Sequence, residues 1–273
     1  MVRFFGFFVG MTFVTALLVA LAMPREAATP NKMHAFHQEP LDLKLASDGP
    51  FGHFDQAQLQ RGMKVYREVC AACHALSQVS FRDFRALGYN DGQIKTIAAD
   101  WPVQSPSINP DTGEAATRPS IASDHIPTPY PNEVAARAAN NNALPPDLSL
   151  IVKAREGHED YVYSLLKGYR PVPANLPAEL KPSGTLHYNP WFANLNIGMP
   201  APLTTAGQVT FDDGTPSTVD QMSKDVAAFL VWTSEPKLQA RHQFGWAILG
   251  FLLFFTTLTF LSYRTIWADK KGH

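Results

Sequence analysis

Cys70 and Cys73 are the only cysteines of this 273-residue chain, and they stand three apart in YREVCAACHALS with His74 directly behind the second. Three chemistries use such a pair: a redox dithiol, half of a zinc site, or, when histidine follows at once, covalent attachment of a c-type haem. A thioredoxin-like dithiol would open a helix after a strand, whereas this pair ends a helical stretch. Structural zinc needs four ligands, and the other histidines form no second pair near another ligand; His34 and His37 are close together but lie in a polar lead segment. Haem attachment explains the spacing. Each vinyl group takes one thiol as a thioether, two intervening residues present both sulfurs to one porphyrin edge, and the His74 imidazole falls under the iron as its proximal ligand.

A second axial ligand would make the centre an electron carrier, and histidine or methionine is the usual choice. Of the seven methionines, Met1, Met11 and Met23 belong to the N-terminal apolar run or its edge, and Met33 to the polar lead. Met63 shares a helix with Cys70, too near to reach the opposite haem face, and Met222 sits on an apolar helix face that suits core packing. Met199 in NIGMPAPL is left. Gly198 permits close backbone approach, and Pro200 and Pro202 restrict the chain around the sulfur. A methionine filling a core gap is the alternative at this position.

These residues need elements to hold them. Asp55 can cap a helix with Gln58 at its third position, and Leu59, Met63 and Tyr66 then recur on one face leading to Cys70. Further helices are expected over Asp91 to Asp100, Glu133 to Asn140, Glu159 to Lys167 stopped by Gly168, and Val219 to Ser234. The last has Thr218 as cap, Gln221 as capping-box partner and Pro236 beyond its end. Of the 22 prolines, most fall between Trp101 and Pro216 and argue against long regular elements there. The expected fold is mostly α, a c-type cytochrome haem domain with long irregular Pro-rich loops, plus one C-terminal transmembrane helix.

The two ends are apolar. MVRFFGFFVGMTFVTALLVALA has one Arg before an apolar run closing on Ala20-Leu21-Ala22, the layout of a secretory signal over residues 1–22, with cleavage after Ala28 or retention as an anchor as alternatives. FGWAILGFLLFFTTLTFLSY, from Phe244 to Tyr263, is uncharged over a length that spans a bilayer, with Trp246, Tyr263 and Trp267 near its ends. Residues 23–243 would then form an exported haem domain, periplasmic in a bacterium, and residues 264–273 a cytoplasmic tail. Setting aside Arg3, Arg264, Lys270, Lys271 and Asp269 takes the 23 Lys+Arg to 19 and the 24 Asp+Glu to 23, a net charge of −4. That balance argues against a nucleic-acid partner.

The segments VYREVCAACHAL, YPNEVAARAANNNALPPDLSLIVKAR, EDYVYSLLKGY, YNPWFANLNIGMPAPL and FDDGTPSTVDQMSKDVAAFLVWTSEP, in this order before a single membrane helix, resemble the cytochrome c1 family from about Gln60 onward. The resemblance implies one covalently attached haem c, with Met199 as sixth ligand. It implies Arg155 and Tyr161 against the haem propionates, and Asn140, Pro145 and Pro146 lining the haem crevice. Where the family usually has glycine in the Asn-rich turn this chain has Asn142, which tolerates a left-handed backbone better than most residues. The implied role is an electron-transfer subunit without an active site of its own, in the inner membrane within a dimeric quinol:cytochrome c oxidoreductase. Its implied partners are cytochrome b, a Rieske iron-sulfur protein and a cytochrome c. A free-standing anchored cytochrome c serving an oxidase, and a haem enzyme or sensor with an open sixth position, are the alternatives. Acidic groups at Asp111, Glu114, Glu156, Glu159 and Asp160 are expected near the haem side, where they could steer a basic partner.

Overall fold

The computed structural model describes residues 2–23, 32–268 and 270, and the chain divides into two compact units at Phe36. In the first unit, α1 (Val2–Ala22) carries no charged residue except Arg3 and buries none of its side chains. The alternative cleavage point after Ala28, and most of the tail beyond Ala268, lie outside the described residues.

The second unit is mostly helical, as expected, and is built on two crossing helices. The first, α2 (Gln56–Val65), starts where the Asp55 carboxylate accepts the amides of Ala57 and Gln58, and Leu59, Met63 and Tyr66 are all buried. It does not simply run into the cysteines. Tyr66–Cys70 widens to a π-turn, closed by the Ala71 amide on the Tyr66 carbonyl. The other, α7 (Val219–Ser234), has the bounds expected from sequence, and the Thr218 hydroxyl accepts the Gln221 amide. The reciprocal half of that capping box is absent, because the Gln221 side chain donates instead to Asp225 Oδ1 at 2.8 Å. Gly62 lets the two helices touch: a Cβ there would lie 2.0 Å from the Asp225 carbonyl oxygen. Arg61 then reaches across to Asp225 at 2.8 Å and Asp213 at 2.6 Å. Around this crossing Tyr66, Phe81, Phe84, Trp101, Phe229 and Trp232 form one aromatic core.

Shorter elements surround it: α3 (Asp91–Ala99), α4 (Glu133–Ala139), α5 (Ile151–Ala154) and α6 (His158–Lys167), the last capped at Gly168. In the Pro-rich region the chain forms two small antiparallel pairs that the proline density did not suggest. Strand β1 (Ser105–Ile108) pairs with β2 (Ala115–Arg118) in the register Ser105 to Arg118, and β3 (His187–Tyr188) with β4 (Asn196–Ile197). The C-terminal α8 (Leu238–Trp267) begins after Pro236 and is longer than its apolar stretch, extending before Phe244 and past Tyr263. It is exposed almost throughout, as suits a membrane anchor.

Candidate functional site

The amides of Cys73 and His74 both donate to the Cys70 carbonyl, at 3.0 and 2.9 Å, so the motif is a tight turn that keeps the two thiols on one short stretch of backbone. Both thiols are free and half-buried. Burial pushes the Cys70 thiol up to about 12, with Cys73 adding to the shift, so Cys70 carries none of the thiolate character of a reactive dithiol. The buried Tyr66 phenol donates to the His74 carbonyl at 2.9 Å and pins the end of the turn to α2.

His74 Nδ1 lies 2.8 Å from the Pro146 carbonyl oxygen. A carbonyl can only accept, so Nδ1 carries the proton and Nε2 keeps its lone pair. Burial also lowers the imidazole below its ordinary pKa, against the Pro146 bond and the Asp147 charge, which favours the neutral ring that a metal requires. The segment after Pro146 runs alongside the exit of the turn. Asp147 accepts the Ser77 and Ser149 amides at 3.0 and 2.7 Å, and the Leu148 amide donates to Ala75 at 2.9 Å. Two thiols, an oriented nitrogen donor and a carbonyl that fixes the ring are the donor set a c-type haem needs, so the residues fit that group.

A second cluster joins the Asn-rich turn, α6 and the loop after β4. Asn141 and Asn142 have φ of 51° and 66°, so the turn takes the left-handed form expected of Asn142. The two side-chain protons of Asn140 go to the Tyr130 hydroxyl at 3.0 Å and the Ala136 carbonyl at 2.7 Å. Its amide group therefore shapes the turn and the end of α4. A Cβ on Gly198 would meet the Ala143 Cβ at 3.2 Å, so the Met199 loop packs closely against this turn. Met199 is half-buried, and its carbonyl accepts from the Tyr169 phenol at 3.0 Å. Arg155 is exposed and donates to the Ala154 carbonyl at 3.1 Å, beside the half-buried Tyr161, where burial raises the phenol pKa and the nearby guanidinium opposes the shift. Pro145 and Pro146 link the two clusters along the chain. Sequence reading passed over the roles of Tyr66, Tyr169 and Asp147, because an aromatic beside a motif reads as core and an aspartate after two prolines as loop.

The expected acidic group is not one feature. Asp160 accepts the Leu43 amide at 2.7 Å and braces the fold. Glu159 is half-buried in a groove of about 770 Å³ between residues 47–50, α5, α6, the end of α7 and the first turns of α8. Burial, with Asp48 and Asp160 nearby, pushes its carboxyl up. Asp111, Glu114 and Glu156 remain exposed. None of Cys70, Cys73, His74 and Met199 lines that groove.

The family model for the Cytochrome C1 family matches residues 45–270. The chain is 41% identical to "Cytochrome c1" of Rhodospirillum rubrum over 82% of this chain and 85% of that one. It is 44% identical to "Cytochrome c1, heme protein, mitochondrial" of Saccharomyces cerevisiae over 82% of this chain and 68% of that one. It is also 42% identical to "Cytochrome b/c1" of Bradyrhizobium diazoefficiens, matching 85% of this chain but only 36% of that longer protein.

Proposed function

Because the chain belongs to the cytochrome c1 family, we propose that it is the haem subunit of a quinol:cytochrome c oxidoreductase and relays single electrons from a Rieske iron-sulfur protein to a cytochrome c. One haem c, attached through Cys70 and Cys73 and ligated by His74 and Met199, supplies the one-electron couple. The protein supplies the rest. Pro146 holds His74 in one tautomer, the Met199 loop brings a thioether that favours a high potential, and Arg155 with Tyr161 offers a cation and a phenol to the propionates. The α8 helix anchors this domain beside cytochrome b, with the haem domain in the periplasm and the C-terminus in the cytoplasm.

The observation that carries the reading is the carbonyl-bound His74 one residue beyond two free half-buried thiols. Purification in mild detergent tests it. Haem should stay on this chain through denaturing electrophoresis, and cytochrome b and an iron-sulfur protein should accompany it. A haem released by denaturation would remove the attachment. A covalent haem on a chain that purifies alone would favour the free-standing anchored carrier.

A further inference from the structure

We infer that Tyr169 is a positioning residue for Met199: its phenol, held at the end of α6, donates to the Met199 backbone carbonyl and so decides how firmly the thioether is seated. The inference rests on Met199 being the sixth iron ligand.

The loop needs an outside hold. It leaves a strand pair of only two residues each and is followed by Pro200, which has no amide proton with which to close a turn. The turn that joins those two strands contains Leu195, a fully buried residue at φ 66°, a conformation that a leucine keeps only where its surroundings impose it. The bond from Tyr169 to the Met199 carbonyl, 3.0 Å long, ties this segment to a helix. Tyr169 itself starts from a fixed point. Asn189, fully buried just after β3, donates its side chain to the Leu165 carbonyl at 2.8 Å and its amide to the Leu195 carbonyl at 2.8 Å, which joins the end of α6 to the hairpin from which the loop leaves. The same helix carries Tyr161 eight positions earlier. The helix thus bears the phenol beside Arg155, and the residue just past its Gly168 cap bears the phenol that restrains Met199.

A thioether is a weak neutral donor, and a ferric centre exchanges it for a harder nitrogen or oxygen ligand as pH rises. A loop that is less restrained should release it sooner. Loss of one hydrogen bond to a half-buried carbonyl typically shifts an equilibrium by about two- to tenfold. The full-length protein with Tyr169→Phe should therefore keep its covalent haem, show a lower reduction potential, and lose the red-edge methionine-to-iron charge-transfer band at a pH lower by up to about one unit. Placing 4-aminophenylalanine at position 169 returns a donor to the same place and should restore both readouts.

Two controls separate the possible failures. Met199→Leu should abolish the band entirely; if the band survives, the ligand is elsewhere and the reading on which this inference rests is wrong. Ser164→Ala removes the hydroxyl that accepts the Leu41 amide at 2.7 Å and weakens α6 without touching Met199. It should lower the melting temperature and leave potential and band unchanged. If Met199→Leu behaves as expected but Tyr169→Phe leaves both readouts at wild-type values, Tyr169 does not position the ligand. The same conclusion follows if Ser164→Ala shifts them equally, or if the amine variant fails to restore them.

Discussion

At the scale of single residues, the site works by spending backbone carbonyls on side chains. The Pro146 carbonyl accepts from the His74 ring, the His74 carbonyl from Tyr66, and the Met199 carbonyl from Tyr169. Each bond fixes a loop that has little regular structure of its own. Asp147 does the converse, accepting two amides with one carboxylate. Asp147→Ala removes the partner of both amides at the edge of the His74 turn, and should cost about 0.5–1.5 kcal/mol in denaturant unfolding, since water can reach the Ser77 amide. Covalent attachment should persist in that variant. In Cys70→Ala one thioether is lost, so the reduced pyridine haemochrome should show a band shifted to the red as one vinyl group is regained, with reduced haem yield; an unshifted band would leave Cys70 out of the attachment. The cysteines and His74 stand out in the sequence because covalent haem attachment would dictate their spacing. Tyr66 and Tyr169 do not, since nothing in a sequence distinguishes a phenol aimed at a distant carbonyl from one filling a core.

Among the elements, the crossing of α2 and α7 sets the frame. Arg61 is the charged partner of a fully buried Asp225, with Gln221 as a further donor. Arg61→Ala would strand that carboxylate, and loss of about 3–5 kcal/mol is expected in chemical denaturation, the usual cost of breaking a buried pair from one side. A loss below 1 kcal/mol would mean that Asp225 accepts a proton or water at little cost. The β1–β2 hairpin is held differently. Arg118 binds Asp124 through both terminal nitrogens, at 2.6 and 2.9 Å, and this bond, despite partial burial, draws the carboxyl down to about 2. A carboxyl lowered in the folded state stabilises above its ordinary value near 3.8 and loses that contribution as pH falls toward 2. Solvent screening limits it to about 1 kcal/mol. Acid unfolding between about pH 4 and 2 should accordingly be shallower in Asp124→Asn. The ends of α7 were readable from Thr218 and Pro236, which act locally, whereas the π-turn and both strand pairs depend on tertiary contacts among prolines and loops that periodicity does not report.

For the whole molecule, the question is how a haem domain is held relative to its anchor, and α8 answers it by starting inside the domain. Leu238 is only 7% exposed, Glu235 at the end of α7 bonds both Lys153 at 2.6 Å and Arg241 at 3.4 Å, and His242 Nδ1 contacts the Gly52 carbonyl at 3.2 Å. Further along, the Phe51 and Trp246 rings stack with centroids 5.2 Å apart. A flexible tether would show none of these contacts. Sequence ended the haem domain at residue 243 and started the membrane helix at Phe244; α8 in fact begins at Leu238, and its contacts with the domain run on to Trp246. The consequence is measurable with two truncations. A chain ending at Glu235 discards Leu238 and every α8 contact, while one ending at Gln243 keeps Leu238, Arg241 and His242 and omits the lipid-facing helix. Both should be soluble after export and keep covalent haem with an unchanged spectrum and potential, because Cys70, Cys73, His74 and Met199 all lie upstream. Stability should differ. Burying one leucine contributes about 1.5–3 kcal/mol, and at about 2–4 °C per kcal/mol for a domain of this size the shorter chain should melt roughly 3–12 °C below the longer. Equal melting temperatures would mean that the first turns of α8 merely rest on the domain. A changed haem spectrum in either truncation would make the helix part of the haem fold, contrary to its role as an anchor.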